Sequence, residues 1–154
     1  MIELRWETEI RARADVVFSL LAELRDYHRW LPSSMAFHGT SRISAGPIGV
    51  GTTYIELGPL GTRHGTVSRF ERPTHLDFEQ PMTVRPRIFG VIGIRLFHTL
   101  TQQTDSVHVL RVVQLSPQGP VKFVMPLVVR AFRAENDRML KMLKEFAEKA
   151  ARDL

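Results

Sequence analysis

One long amphipathic helix at the C-terminal end decides what the rest of this chain can become. From Pro120 to Leu154, Val121, Met125, Val128, Val129, Phe132, Met139, Met142, Leu143, Phe146 and Ala150 recur mostly at three- and four-residue spacings. That spacing gathers them on one face of a 3.6-residue period. Arg130, Arg133, Asp137, Arg138, Lys141, Lys144, Glu145, Glu148 and Lys149 fall mostly on the other faces. Pro120, after Gly119, suits a first helical position, where its missing N–H costs nothing. Pro126 predicts a kink or brief break. No apolar run approaches the roughly 18 residues of a membrane span. A stripe of this length needs a long apolar partner, and everything upstream that could supply one reads as strands.

The first of these strands is the clearest. Ile2, Leu4, Trp6, Thr8 and Ile10 alternate with Glu3, Arg5, Glu7, Glu9 and Arg11, the period of a half-buried strand over 2–11. Asp15 then opens a helix, where a carboxylate favours the dipole. Val16, Val17, Leu20, Leu21 and Leu24 give that helix an inward face. A second short helix is expected over Arg25 to Trp30, closed by Pro32. Six further strands follow: 35–44, 52–57, 62–71, 75–80, 94–102 and 107–116. The turn signals between them are the glycines at 46, 49 and 51, Gly58-Pro59-Leu60-Gly61, Arg72-Pro73-Thr74 and Gln103 to Ser106. Pro81 to Gly93 is less regular. Consecutive strands pair as antiparallel neighbours. The expected architecture is therefore α+β: a seven-stranded antiparallel sheet, in the order β-α-α-β6-α, against one long helix. A space between sheet and helix is the kind of concave, mostly apolar site that small ligands use.

Length and composition narrow the function. At 154 residues a single domain over 1–154 is expected, with a sizeable core. There are no cysteines, which excludes disulfides and thiolate zinc sites. The N-terminal MIELRWETEI lacks the apolar segment of a secretory signal, and a cytoplasmic location is expected. The net charge of +5 comes from 17 arginines and four lysines against 16 acidic residues. These are spread along the chain, without the clustered patch or motif of a nucleic-acid binder. No nucleic-acid partner is expected, and transient contact with an anionic membrane surface is left open. Nucleophile elbows, phosphate-binding glycine loops and metalloprotease motifs are absent.

Several stretches resemble the START-like (SRPBCC) helix-grip superfamily, and within it the polyketide cyclase/dehydrase branch. They are Ala14-Asp15-Val16-Val17-Phe18-Ser19-Leu20-Leu21 with Tyr27-His28-Arg29-Trp30-Leu31-Pro32, then Val50-Gly51-Thr52-Thr53-Tyr54. Val67 through the Arg72-Pro73 turn to Phe78 follows, and Gly119-Pro120 leads into the last helix. The resemblance covers essentially the whole chain. It implies a helix-grip fold, with the sheet curved around the C-terminal helix. It also implies that an apolar or amphipathic small molecule, such as a lipid or polyketide, is bound between the two. It brings no catalytic motif and no cofactor, and none is expected.

Within that frame His98 is the most suggestive polar residue. Ile94, Leu96, His98 and Leu100 share one strand face. A hairpin centred near Thr104 places His98 opposite Leu110 and Leu96 opposite Val112. Leu110, Val112 and Gln114 then join Leu96 and His98 on the expected cavity wall, with Tyr54, Trp30 at the mouth, and Val128 and Phe132 from the helix. Trp30 has a second role open to it, packing the short helix on the sheet. A His98–His108 metal pair across strands is the only metal arrangement the spacing offers, and no metal is expected. Met82 to Phe89 reads either as a basic-rimmed lid or as an irregular strand edge. Three functions compete. The first is ligand binding. The second is a polyketide-type cyclase or dehydratase with His98 as acid–base group, helped by Tyr54 or Glu56. The third is a protein-interaction module of co-chaperone or toxin type.

Overall fold

The computed structural model describes residues 1–34 and 37–153. Eight strands form one antiparallel sheet: β1 (Ile2–Ile10), β2 (Thr40–Ser41), β3 (Thr53–Gly58), β4 (Gly61–Glu71), β5 (His75–Glu79), β6 (Met82–Val84), β7 (Val91–Gln102) and β8 (Val107–Gln118). Two α-helices, α1 (Ala14–Ala22) and α2 (Met125–Arg152), and three short 3-10 turns at Leu24–Arg29, Arg87–Phe89 and Pro120–Val124 complete it. The sheet runs β1-β8-β7-β5-β4-β3-β2, and β6 bridges β4 and β7. β1 is thus an edge strand, and its Leu4 and Ile10 are buried as their alternation requires.

The architecture is the expected helix-grip arrangement, with differences in detail. The irregular stretch after Pro81 contains the extra strand β6, and β7 begins at Val91, three residues earlier than the pattern suggested. The strand anticipated over 35–44 shrinks to Thr40–Ser41; Met35 and Ala36 lie outside the described residues. On α1 the buried face is Ala14, Val17, Phe18, Leu21 and Ala22, while Val16 and Leu20 are half-buried. Pro126 does not kink a continuous helix. The chain turns once as 3-10 helix from Pro120, and Pro126 then falls in the first turn of α2, where no intrahelical donor is lost.

The buried face of α2 is Met125, Val128, Asn136, Met139, Leu140, Leu143 and Ala147; Phe132 and Phe146 are only half-buried. Three hydrogen bonds tie α2 to the β1 side of the sheet: Trp6 Nε1 to Asp137 (2.8 Å), the Arg11 N–H to Glu148 (2.9 Å) and Lys144 Nζ to the Glu9 carbonyl (2.7 Å). The helix is therefore held by polar contacts along its flank as well as by its stripe. Beneath it lies one apolar core built from Ile10, Val17, Phe18, Leu21, Leu76, Ile92, Val113 and Leu115.

Candidate functional site

Between the middle of α2 and the β3–β4–β5 side of the sheet the core opens into a cavity. About 90 Å³ of it is open to the centres of water-sized molecules, several times the roughly 10–15 Å³ that one water requires. Tyr54, Glu56 and Arg63 come from β3 and β4, and Phe78, Gln80 and Leu96 from the centre of the sheet. Tyr27, Leu31 and Phe37 close one side, and Phe132, Glu135, Asn136 and Met139 descend from α2. The wall is mostly apolar and aromatic, with a few polar groups aimed at fixed partners.

One of those groups is Arg111, 7% exposed, on β8. Its Nε–H donates to Asn136 Oδ1 at 2.6 Å, and one terminal amino group donates to His98 Nε2 at 2.6 Å. His98 Nδ1–H in turn donates to the Leu76 carbonyl at 2.9 Å. Because Nε2 accepts and Nδ1 donates, the imidazole is held neutral in a single tautomer. Burial first, and the neighbouring Arg111 charge second, push the His98 pKa down to about 3, against a raising pull from the Leu76 carbonyl. Burial lowers Arg111 to about 10, so it remains cationic at neutral pH. Asn136 is anchored by its own donation to the Phe132 carbonyl at 2.8 Å. Both direct partners of the guanidinium are thus uncharged, and its second terminal amino group makes no hydrogen bond among the described residues. Five donors are available and two are used.

The other charges on the wall are compensated. Arg63 Nε meets Glu56 at 3.1 Å, and Glu135 is paired to Arg138 at 2.8 Å. Tyr54 donates to Gln80 at 2.6 Å, and Tyr27 donates to the Leu21 carbonyl. Burial, ahead of the nearby Glu56 charge, raises both phenols well above their ordinary value, so both stay protonated donors. Tyr54 lies across Gly65, its register partner on β4. A Cβ at Gly65 would fall 2.0 Å from the tyrosine ring, so the absence of a side chain there is what lets the ring lie flat.

The structure redistributes the residues singled out from the sequence. Tyr54, Leu96 and Phe132 line the cavity. His98 faces inward but sits behind Arg111, buried, with both ring nitrogens engaged. Leu110, Val112 and Gln114 face away. The β7–β8 loop has four residues, closed by the Gln103 N–H to Ser106 carbonyl bond, so His98 pairs with Arg111 and Leu96 with Val113. A shift of one residue turns every side chain of a strand to the other face. Val128 packs in the core below the cavity wall. Trp30 is buried against Tyr27, donates to the Leu20 carbonyl and borders a separate surface groove with Leu20, Arg29 and Arg72. His98 and His108 lie on opposite faces; His108 reaches Glu9 at 2.7 Å on the outer surface. Among the described residues no three His, Asp or Glu side chains converge as a metal site would need, and no helix is long and apolar enough to cross a membrane.

Sequence reasoning missed Arg111 and Asn136. A signal was present. Of Val107, Val109, Arg111, Val113 and Leu115, four are apolar, against two of His108, Leu110, Val112, Gln114 and Ser116. The more apolar set was the inward one, with the arginine carried in with it.

Solved structures with this fold span most of the chain. A conserved protein from Geobacillus kaustophilus aligns with a TM-score of 0.72 at 12% identity, covering 97% of both chains. The hypothetical protein jhp0584 from Helicobacter pylori aligns at 0.74 and 12% identity, covering 95% of this chain and 88% of its own. Norcoclaurine synthase from Thalictrum flavum aligns at 0.68 and 16% identity, covering 94% and 85%. At such identities the likeness is one of fold. No curated protein matches the sequence significantly. Residues 1–148 match the model of the family described as polyketide cyclase/dehydrase and lipid transport, and the chain belongs to that family.

Proposed function

We propose that the protein binds a small amphipathic molecule between sheet and α2, with an apolar body against Phe37, Phe78, Leu96 and Phe132 and an anionic end at Arg111. The observation that carries this is the imbalance of charge. With Glu56 paired to Arg63 and Glu135 to Arg138, Arg111 is the cavity-wall arginine with no carboxylate in contact among the described residues, Glu56 attracting it only from a longer range. Burying such a charge costs several kcal/mol even after relaxation. Neutral partners orient the guanidinium without cancelling it. A carboxylate or comparable oxyanion entering the cavity would supply the missing charge through the unused amino group, in surroundings where charge-assisted bonds are strong. The apolar wall would take up the remainder of the molecule. His98 acts here as a positioning residue, an acceptor that aims Arg111.

Two naphthalene probes test the reading, 2-naphthoate with an anionic end and 2-naphthol without one. The protein should prefer 2-naphthoate, and Arg111→Met should weaken that probe by about 10- to 100-fold while changing 2-naphthol little, the scale of one hydrogen bond to a charged group. Equal weakening of both probes, with melting temperature unchanged, would overturn the assignment of Arg111. Failure of both probes to compete with whatever molecule co-purifies with the protein would overturn the cavity itself.

A further inference from the structure

Six of the ten large apolar side chains exposed among the described residues lie in one corner: Ile88, Phe89, Val91, Phe123, Val124 and Leu127. Ile88 is 79% exposed, Phe123 88% and Leu127 69%. The corner is assembled by topology. Val91 at the start of β7 pairs with Gln118 at the end of β8, so the 3-10 turn before β7 and the one after β8 emerge side by side. Gly90 and Gly119 let them touch. Both have φ near +100°, and a Cβ on Gly90 would fall 2.0 Å from the Gln118 carbonyl oxygen. Leu127 continues the same corner along the first turn of α2, with Arg130 three residues on, and so on the same helical face.

The charges around this corner are of one sign. From Pro81 to Gly93 and from Gly119 to Ala134 the chain has no Asp or Glu. Arg85, Arg87, Lys122 and Arg130 stand exposed there, and none makes an ion pair among the described residues. Protruding apolar side chains ringed by unpaired cations are the features of a surface that seats itself in the headgroup region of an anionic bilayer. A monomeric protein surface does not ordinarily gather its apolar side chains in this way. The corner also adjoins the cavity. One helical turn separates Leu127 from Ala131 and Phe132 on the cavity wall, and the Arg85 N–H is bonded to the carbonyl of Leu60, another lining residue.

We propose that this corner docks the protein on an anionic lipid surface, with Ile88, Phe123 and Leu127 entering the headgroup layer and Arg85, Arg87, Lys122 and Arg130 meeting lipid phosphates. It stands whether or not the cavity ligand is anionic. The test is co-sedimentation with phosphatidylcholine vesicles, with and without 30% phosphatidylglycerol as an anionic component (about one lipid in three, enough to set up an attractive surface potential). The protein should bind the anionic vesicles and not the neutral ones, and lose binding as salt rises. Phe123→Glu with Ile88→Glu should abolish binding, and Arg85→Gln with Arg87→Gln should weaken it by about fivefold per residue. These side chains are exposed, so the fold should tolerate the changes; circular dichroism checks that. Arg5→Gln with Arg13→Gln, on exposed positions remote in sequence, removes the same net charge and should cost less than twofold. Equal losses for both arginine pairs, or binding that survives Phe123→Glu with Ile88→Glu, would overturn the proposal. So would an absence of vesicle binding combined with a concentration-dependent dimer that these substitutions dissolve, since the corner would then be a contact between copies of this chain.

Discussion

The two arginines on the cavity wall face opposite electrostatic problems. Arg63, on β4, lies beside Glu56, and both side chains are largely buried, 13% and 10% exposed. Its charge is balanced within the fold. Arg111, on β8, is buried as deeply but is held by His98 and Asn136, which carry no charge. A buried cation with a carboxylate partner is a structural feature that a ligand has to displace or ignore. A buried cation with neutral partners is positioned and still attractive. On the β3–β4 side the cation touches a carboxylate, and on the β7–β8 side it does not, with Glu56 acting on Arg111 only at longer range. Which side a substitution touches should decide whether stability or recognition changes.

The largest effect is expected where the neutral scaffold of Arg111 is broken. His98→Leu removes the acceptor of a buried guanidinium hydrogen bond and the ring's own bond to the Leu76 carbonyl. A buried charge that loses one of its two partners, together with the lost ring bond, should cost roughly 3–5 kcal/mol in urea unfolding. On the sequence alone this substitution would be expected to leave folding intact; the register of β8 makes it a stability mutation. His98→Leu with Arg111→Met should recover much of the loss, because the buried charge goes with its partner. A cost below about 1 kcal/mol for the single variant would mean that His98 and Arg111 are not coupled.

A smaller effect separates the two sides by pH. The folded-state pKa of His98 is depressed to about 3, whereas an unfolded histidine titrates near its ordinary value of about 6.5. Between those values the unfolded chain binds a proton that the folded protein refuses. Stability should accordingly be complete above pH 6.5 and fall as pH drops toward 3, by about 2–3 kcal/mol at pH 4.5. His98→Gln keeps a neutral acceptor for Arg111 and cannot titrate there, so its profile should be flatter by that amount. Asp77, raised chiefly by burial, works in the opposite sense but is present in both proteins and cancels in the difference. Parallel profiles would show that His98 is already protonated or already solvated at neutral pH.

That coupling was hard to read from residues alone. β1 was legible because its alternation is strict and only one face is apolar. The Gly58–Gly61 turn was legible because glycine and proline mark it, and α2 because its stripe runs for several turns. β8 was not, because Leu110 and Val112 give its outer face enough apolar character to mimic an inner one. A hairpin centred between Thr104 and Asp105, instead of on Thr104, reverses the choice. Asn136 was passed over because a polar residue on a helix stripe ordinarily ends the stripe; here it continues inward to receive Arg111. The helix phase itself was nearly right, but Leu140 and Ala147 displace Phe146 from the centre of the buried face, and Phe146 instead packs under Arg29 at 5.9 Å.

The smallest effect sharpens the comparison from the Arg63 side. Exposed ion pairs contribute roughly 0–1 kcal/mol, and fully buried ones cost roughly 3–5 kcal/mol when one partner is lost. The Arg63–Glu56 pair lies between these limits, so a double-mutant cycle with Arg63→Met and Glu56→Gln should give a coupling of about 1–2 kcal/mol. Its consequence for binding is more telling than its size. Arg63→Met alone leaves Glu56 without the cation in contact with it and should weaken 2-naphthoate through repulsion, and through Glu56 competing for the charge of Arg111, sparing 2-naphthol. Adding Glu56→Gln removes that charge and should return 2-naphthoate to within about twofold of the parent protein, because Arg111 is untouched. If the double variant instead bound 2-naphthoate as poorly as Arg111→Met, Arg63 would be the anion's partner. The two sides of the cavity would then have to exchange roles.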